Sequence, residues 1–464
     1  MATNSLPASY AVPSGKVARG TASVPPSKSL AHRALICAAL ARGDSRVGPL
    51  PDGEDVAATL ECLRACGVGI RGQGTGDRGQ ETGGSAVSTA NFSLFTFYFS
   101  PQETGDGGQE ASRTVLVAGT SGRLTAPRVP LNCRASGTTL RLLMGVCGAM
   151  EGAFTLDGEE QLRRRPVGDM DAPLVTLGAS LKYAEREGFP PVVVEGCPWP
   201  GGRVTVPGSV SSQFLSGLLM GAPLAHGPVT FESAGLVSAP YAKMTAAVMA
   251  TFGAAVDHPG EFAWRVAPGA YRAMDFTIEP DASSAAFMWA AAAVTEGEVL
   301  VRGTTAPSLQ GDALFPGLLA QMGCRVERTA EGTAVSGSPS RGLDADLSGT
   351  PDLVPALAAV AAFAPAPSTF RGVAHLRFKE SDRLAVLSDG LSRLGATVLI
   401  EAGRMTLIPC CDYRGAELDP RGDHRMAMAF AILGLRIPGV TIKGPACVAK
   451  SFPAFFAVLE GLLV

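Results

Sequence analysis

The stretch LSRLGATVLI, residues 391–400, joins the end of an amphipathic helix to a β-prone run through a single glycine. Glycine there suits the left-handed residue that closes many helices. The same pattern occurs as CLRACGVGI (62–70), LVTLGASLKY (174–183), VMATFGAAV (248–256) and LLAQMGCRVE (318–327). Gly67, Gly178, Gly253, Gly323 and Gly395 follow one another at intervals of 111, 75, 70 and 72 residues, and Gly461 lies 66 further on. A period near 70 is the signature of a repeated supersecondary unit. The long first interval coincides with residues 71–110, which hold nine glycines and read as a low-complexity insertion. Within it, residues 91–99 pack five aromatics into nine positions, a segment open to reading as a hairpin arm or a contact surface.

A second helix precedes each of these. The copies are SKSLAHRALICAAL (27–40), SGTTLRLLMGVCGAM (136–150), SVSSQFLSGLLMGAPLA (209–225), DASSAAFMWAAAAV (281–294), PDLVPALAAVAAFA (351–364) and DHRMAMAFAILGL (423–435). Each starts polar and continues apolar on every side, so each should be buried. A chain of 464 residues is too long for one core. The economical reading is an α/β protein of six β-α-β-α units, three per domain. The chain should cross between domains near residues 23–26 and 279–281. Residues 26–280 then form one lobe, and residues 1–25 with 281–464 the other.

Composition removes several functions. Net charge is −3 and charged residues are 17% of the chain, so there is no basic footprint for nucleic acid. No apolar run of about 18 residues offers a membrane span. The opening MATNSLPASYAVPSGK lacks the apolar core of a secretory leader, which points to a cytoplasmic protein. Ten cysteines lie without CxxC pairs or histidines at metal spacing. Cys37, Cys62, Cys66 and Cys147 read as reduced core thiols, and no metal site is expected. His32, His226 and His258 read as surface or loop residues, and His424 as a hydrogen-bonded support for its helix start.

The polar helix starts carry Lys28-Ser29, Ser136-Gly137-Thr138, Ser211-Ser212-Gln213, Ser283-Ser284, Asp352 and His424-Arg425. Brought to one face, such starts attract anions through free N–H groups and the helix dipole. Capping explains the serines and threonines. It does not explain Lys28, Arg33, Arg141 and Arg425 in largely apolar helices, where a cation needs an anionic partner. Arg141 reads equally as a contact to a ligand or as the partner of a neighbouring carboxylate. The densest charge is RFKESDRL, residues 377–384, with five charged residues in eight. It reads as the first turn of a helix capped by Ser381 or Asp382. Lys379 and Arg383 then share a face to hold an anion, and Glu380 points elsewhere, free for proton work.

PPSKSLAHRALICAAL, ASGTTLRLL, RRRPVGD, GSVSSQFLSGLLMGAPLA, SAPY, TPDLVPALA, FKESDRL, GDHRMAMAF and ACVAKSFPAFF together resemble the 5-enolpyruvylshikimate-3-phosphate (EPSP) synthases, in order and spacing, over nearly the whole chain. The resemblance implies a two-domain inside-out α/β barrel of six βαβαββ-type repeats that close over substrates at their junction. It implies transfer of the enolpyruvyl group of phosphoenolpyruvate to the 5-hydroxyl of shikimate 3-phosphate, without metal or organic cofactor. Lys28, Ser29, Arg33, Ser211, Ser212, Gln213, Ser238, Tyr241, Asp352 and Lys379 would hold shikimate 3-phosphate. Lys28, Gly137, Arg165, Gln213, Arg383, Arg425 and Lys450 would hold phosphoenolpyruvate. Lys28, Asp352 and Glu380 would be catalytic, Glu380 at the methylene carbon and Asp352 at the 5-hydroxyl. Two positions where the family often has Asn hold Ala135 and His375 instead. The alternatives are a UDP-N-acetylglucosamine enolpyruvyl transferase, although no Gly-rich Cys loop is found, or a non-catalytic anion-binding relative. A monomer is expected, or one module of a larger multifunctional polypeptide.

Overall fold

The computed structural model describes residues 7–73 and 113–464. Six copies of one unit account for most of them. A strand leads through a buried helix to a parallel neighbour, then through an outer helix to an antiparallel pair. In the second copy, Leu131–Asn132 runs parallel to Gly152–Asp157. That strand is antiparallel to Val192–Gly196, which also pairs with Ser180–Tyr183. Among the described residues, five sheets have four strands and the sixth has three.

The copies are not consecutive. The opening strand of the first, Phe276–Thr277, follows the third copy in sequence and pairs with Asp44–Gly48. Arg19–Ala22 completes the fourth copy beside Glu298–Arg302, and Ser9–Ala11 completes the sixth beside Thr441–Lys443. Two paired segments carry the chain between halves. Ser27 N donates to Glu279 O and Asp281 N to Pro25 O, both at 2.8 Å. Buried apolar residues form two clusters, one from residues 30–278 and one from residues 12–22 with 285–463.

The inner helices are Lys28–Leu40, Gly137–Gly148, Gln213–Gly221, Ala282–Thr295, Val354–Ala361 and His424–Arg436. They are buried on all sides, as their uniformly apolar sequences require. Small residues let two of them touch through backbone. A Cβ built on Gly145 would sit 2.2 Å from the carbonyl carbon of Gly217. The outer helices end at the expected glycines: Gly67, Gly178, Gly253, Gly323 and Gly395 have φ of 88°, 96°, 86°, 105° and 112°. Gly461 differs, lying within helix Phe455–Gly461.

Two expectations need correction. Residues 71–73 are not insertion but the end of strand Gly69–Gln73, paired with Thr114–Ala118. The rest of the expected insertion, with its aromatic segment, lies outside the described residues. The helix after RFKESDRL begins only at Arg383. Asp382 caps it by accepting from Ala385 N at 3.0 Å, and Lys379 is extended. All ten cysteines are free thiols, and Cys37, Cys62, Cys66 and Cys147 are buried. No described helix is long and apolar enough to cross a membrane.

Because the three atoms nearest to a Cβ at 145 are all backbone of Gly217 and Leu218, none of them can rotate away. Gly145→Ala should destabilise the protein by about 1–3 kcal/mol, the usual cost of overpacking. A urea-unfolding midpoint equal to that of the parent would refute this contact.

Candidate active site

Five of the six inner helices begin at one cleft. It is lined by Lys28, Ser29, Thr138, Arg141, Arg165, Val210, Ser211, Ser212, Gln213, Ser238, Tyr241, Asp352, Phe378, Lys379, Glu380, Arg383, His424 and Arg425. The start of the fourth inner helix is set back. Its Ser283 hydroxyl contacts Asp312, behind Tyr241, rather than lining the cleft. Cap side chains fix several of these starts. Ser136 Oγ accepts from Thr139 N at 3.2 Å, and Asp423 Oδ1 from Arg425 N at 3.0 Å.

Thirteen of the sixteen residues expected from sequence lie on that lining. The other three stand just behind it. Arg33 is 1% exposed and donates to Thr245 Oγ1 at 2.7 Å and to the Ser29 carbonyl at 2.9 Å. It braces the helix start, and burial draws its guanidinium down to about 10. Gly137 leaves room for another side chain, since a Cβ there would lie 2.7 Å from the Arg165 guanidinium carbon. Lys450 Nζ donates to the Ala135 carbonyl at 3.2 Å and approaches Glu380 Oε1 at 3.9 Å. At position 135 it is thus the backbone carbonyl that Lys450 meets.

The centre is Arg383, 1% exposed. Its Nη1 contacts Asp352 Oδ1 at 2.9 Å, Nη2 contacts Glu380 Oε2 at 3.0 Å, and Nε contacts Asp423 Oδ2 at 2.8 Å. Glu380 does not point away from the cations as expected. Its other oxygen faces Arg165 at 3.4 Å, a bridge between residues of the two halves. Gln161 Nε2 adds a second such link, donating to the Glu380 carbonyl at 3.1 Å. Asp352 also meets Arg425 at 3.0 Å and Lys379 at 3.6 Å, so Lys379 and Arg383 converge without sharing a helical face.

Electrostatics follow from this packing. Burial favours neutral Asp352, but Arg425, Lys379 and Arg383 outweigh it and hold the carboxyl well below the usual range. Glu380 behaves likewise, with Arg165, Arg383 and Lys450 overriding burial. Lys28 forms a 2.9 Å pair with Asp55. Burial opposes its charge, yet Asp55 and Glu380 raise its ammonium above the ordinary value. Among the described residues Arg141 pairs with no carboxylate. It donates to Gln213 Oε1 and to the Pro166 carbonyl at 3.1 Å each, and burial with Arg165 nearby lowers it to about 9.

The histidines depart most from expectation. His32 is fully buried, not at the surface, and its Nδ1 contacts Thr59 Oγ1 at 2.7 Å. Among the described residues His424 has no hydrogen-bond partner on either ring nitrogen, so it is not seen to brace its helix by hydrogen bonding. Sequence reasoning also passed over Asp55, Asp312 and Asp423. Asp423 sat in a quoted motif, immediately before His424. Nothing in the sequence marks Asp55 as the partner of Lys28. No group of three or more His, Cys, Asp or Glu among the described residues is placed to hold a metal ion.

Fold and cleft together define a protein built to hold polyanions among paired carboxylates. The family model for EPSP synthase (3-phosphoshikimate 1-carboxyvinyltransferase) matches residues 12–94 and 107–459. A 3-phosphoshikimate 1-carboxyvinyltransferase of Methanosphaerula palustris is 42% identical over 448 residues, 95% of this chain and 96% of the relative. One from Nostoc punctiforme is 38% identical over 94% of each chain. Among solved structures, EPSP synthase from Acinetobacter baumannii superposes with a TM-score of 0.75 at 27% identity, covering 98% of both chains. The chain belongs to the EPSP synthase family.

Three buried histidines carry a pH signature. Burial lowers His32 to about 3 and His375 to about 4, and holds His424 well below the ordinary value of 6.5. The unfolded chain protonates them below that value while the folded chain does not. Their stabilisation is therefore complete above pH 6.5 and lost as pH falls, at up to about 4 kcal/mol per unit for all three. His375→Asn should flatten the slope of unfolding free energy between about pH 4 and 6.5 by up to about 1.4 kcal/mol per pH unit. An unchanged slope would mean that His375 titrates normally.

Proposed function

We propose that this chain transfers the carboxyvinyl group of phosphoenolpyruvate to the 5-hydroxyl of shikimate 3-phosphate, releasing phosphate. The observation carrying the assignment of roles is the placement of Asp352 and Glu380 on two arms of one arginine. The reaction needs one proton delivered to the methylene carbon and one removed from the hydroxyl, so it needs two separate carboxylates. Lys28, Ser29, Ser211, Ser212, Gln213, Ser238, Tyr241 and Lys379 would hold shikimate 3-phosphate, with Asp352 at its 5-hydroxyl. Arg165, Arg383, Arg425 and Lys450 would grip phosphoenolpyruvate, with Gly137 keeping room for Arg165. Arg suits two-point grips on carboxylate and phosphate.

These cations meet the protein's own carboxylates Asp352 and Glu380. Phosphoenolpyruvate brings a carboxylate and a phosphate that compete for Arg165, Arg383 and Lys450. Glu380 then loses counter-charge and its affinity for a proton rises, which readies it to protonate the methylene carbon. In the second half the same carboxylate takes a proton back from that carbon as phosphate leaves. Lys28 steadies negative charge near the reacting oxygen. Residues 26–280 would act as the shikimate 3-phosphate lobe. Residues 1–25 with 281–464 would act as the phosphoenolpyruvate lobe, and their approach would exclude water. A cytoplasmic monomer suffices for this chemistry.

The test is phosphate release from phosphoenolpyruvate with shikimate 3-phosphate or UDP-N-acetylglucosamine as acceptor. Release with the second acceptor alone would overturn the assignment. Glu380→Gln should lower kcat on the order of 10²–10⁴-fold, the scale of general acid–base catalysis, with KM for shikimate 3-phosphate little changed and KM for phosphoenolpyruvate unchanged or lower. Equal losses in kcat and in affinity would remove Glu380 from proton transfer.

A further inference from the structure

On the cleft wall, Tyr241 stands between two carboxylates. Its hydroxyl oxygen lies 3.2 Å from Asp312 Oδ2 and 3.3 Å from Asp352 Oδ2. Asp312 is 3% exposed, and the same Oδ2 also meets the Ser283 hydroxyl. These are three oxygen–oxygen contacts, but the tyrosine and serine hydroxyls supply only two protons. With both carboxylates ionised, the phenol can serve only one and must face the other lone pair to lone pair. A proton on Asp312 completes the count. Ser283 then donates to Asp312, Asp312 donates to the phenolic oxygen, and Tyr241 donates to Asp352.

We infer that Asp312 is a positioning residue that works protonated, directing the single phenolic proton of Tyr241 onto Asp352. It thereby holds Asp352 ionised and aimed at the acceptor hydroxyl. The inference rests on the reading of Asp352 as the base for that hydroxyl. Asp312 lies on the short turn Gly311–Leu314. The groups acting on it come from four other elements. They are Tyr241 of helix Ala239–Thr251, Asp281 and Ser283 at the start of the fourth inner helix, Asp352, and Arg425 of the sixth inner helix. Burial and then Asp352 push the Asp312 carboxyl up to about 6, with Asp281 adding to them and Ser283 and Arg425 opposing. An anion that engages Arg425 weakens that opposition, so substrate binding favours the protonated form.

The experiment compares kcat across pH for the parent enzyme, Asp312→Asn, Asp312→Leu and Asp352→Asn, with melting temperatures measured alongside. Asparagine is neutral and keeps a donor, so Asp312→Asn should retain kcat within about threefold. Its alkaline limb should move to higher pH, because nothing remains at 312 to ionise. Asp312→Leu keeps the bulk but no donor and should lose about 10²-fold in kcat at similar KM, the scale of a misaligned catalytic group. If the leucine variant does not fold, the alkaline limb of Asp312→Asn decides alone. An Asn variant as impaired as Leu, or one with the parent's alkaline limb, would overturn the relay. If Asp352→Asn turns over normally, the base assignment falls and the relay with it. If Asp352→Asn is dead while the limb of Asp312→Asn is unmoved, the relay alone falls.

Discussion

The cleft is held together by one buried guanidinium. Arg383 gives its three donor edges to Asp352, Glu380 and Asp423, residues from three separate segments of the chain. A cation this deep is tolerable only because all of its directions are answered. The dependence is mutual: removing Arg383 would take from Asp423 the guanidinium it pairs with, and would leave Asp352 to Arg425 and Lys379 and Glu380 to Arg165 and Lys450. The geometry of the two carboxylates proposed for catalysis is therefore set by a residue also proposed to grip substrate. Such sharing makes the site rigid and makes its parts poorly separable by single substitutions.

The inner helices explain why so much charge can gather in so apolar a protein. Their bodies form the cores, and their first turns are the only polar stretches they have. Close backbone contact, as between Gly145 and Gly217, brings those turns near one another. Lys28 and Arg425 then enter the cleft from helix starts rather than from loops, which limits how far they can stray. Arg33, a turn deeper, spends its charge on Ser29 and Thr245 and so serves the site from behind.

The periodic part of this design was legible in sequence. Five of the six repeated glycines took the left-handed conformation that their place after a helix demands. The apolar helices were recognisable because burial on all sides leaves no polar stripe. Strands of two residues, such as Leu131–Asn132 and Glu417–Leu418, are too short to show any alternation. Residues 379–382 carried helix-like chemistry, yet the helix starts only after its cap at Asp382. The carboxylate partners were the least visible. Asp55 and Asp312 are set by contacts through space, across 27 and 71 residues, and no local pattern reports them. His32 was misplaced because a lone histidine in an apolar run has no sequence mark for the buried threonine, Thr59, that it meets.

The pairing of Arg19–Ala22 with Glu298–Arg302, and of Ser9–Ala11 with Thr441–Lys443, has a consequence for biogenesis. Residues 12–22 are made before residues 30–278 but belong to the half completed after them. While the ribosome works through the intervening residues, those early strands have open edges and no neighbour of their own sheet. Assembly of that half must therefore wait until residues 298–302 and 441–443 have been made, and loop closure over hundreds of residues makes the step slow. A chaperone that shields exposed strand edges would find its natural client in this interval.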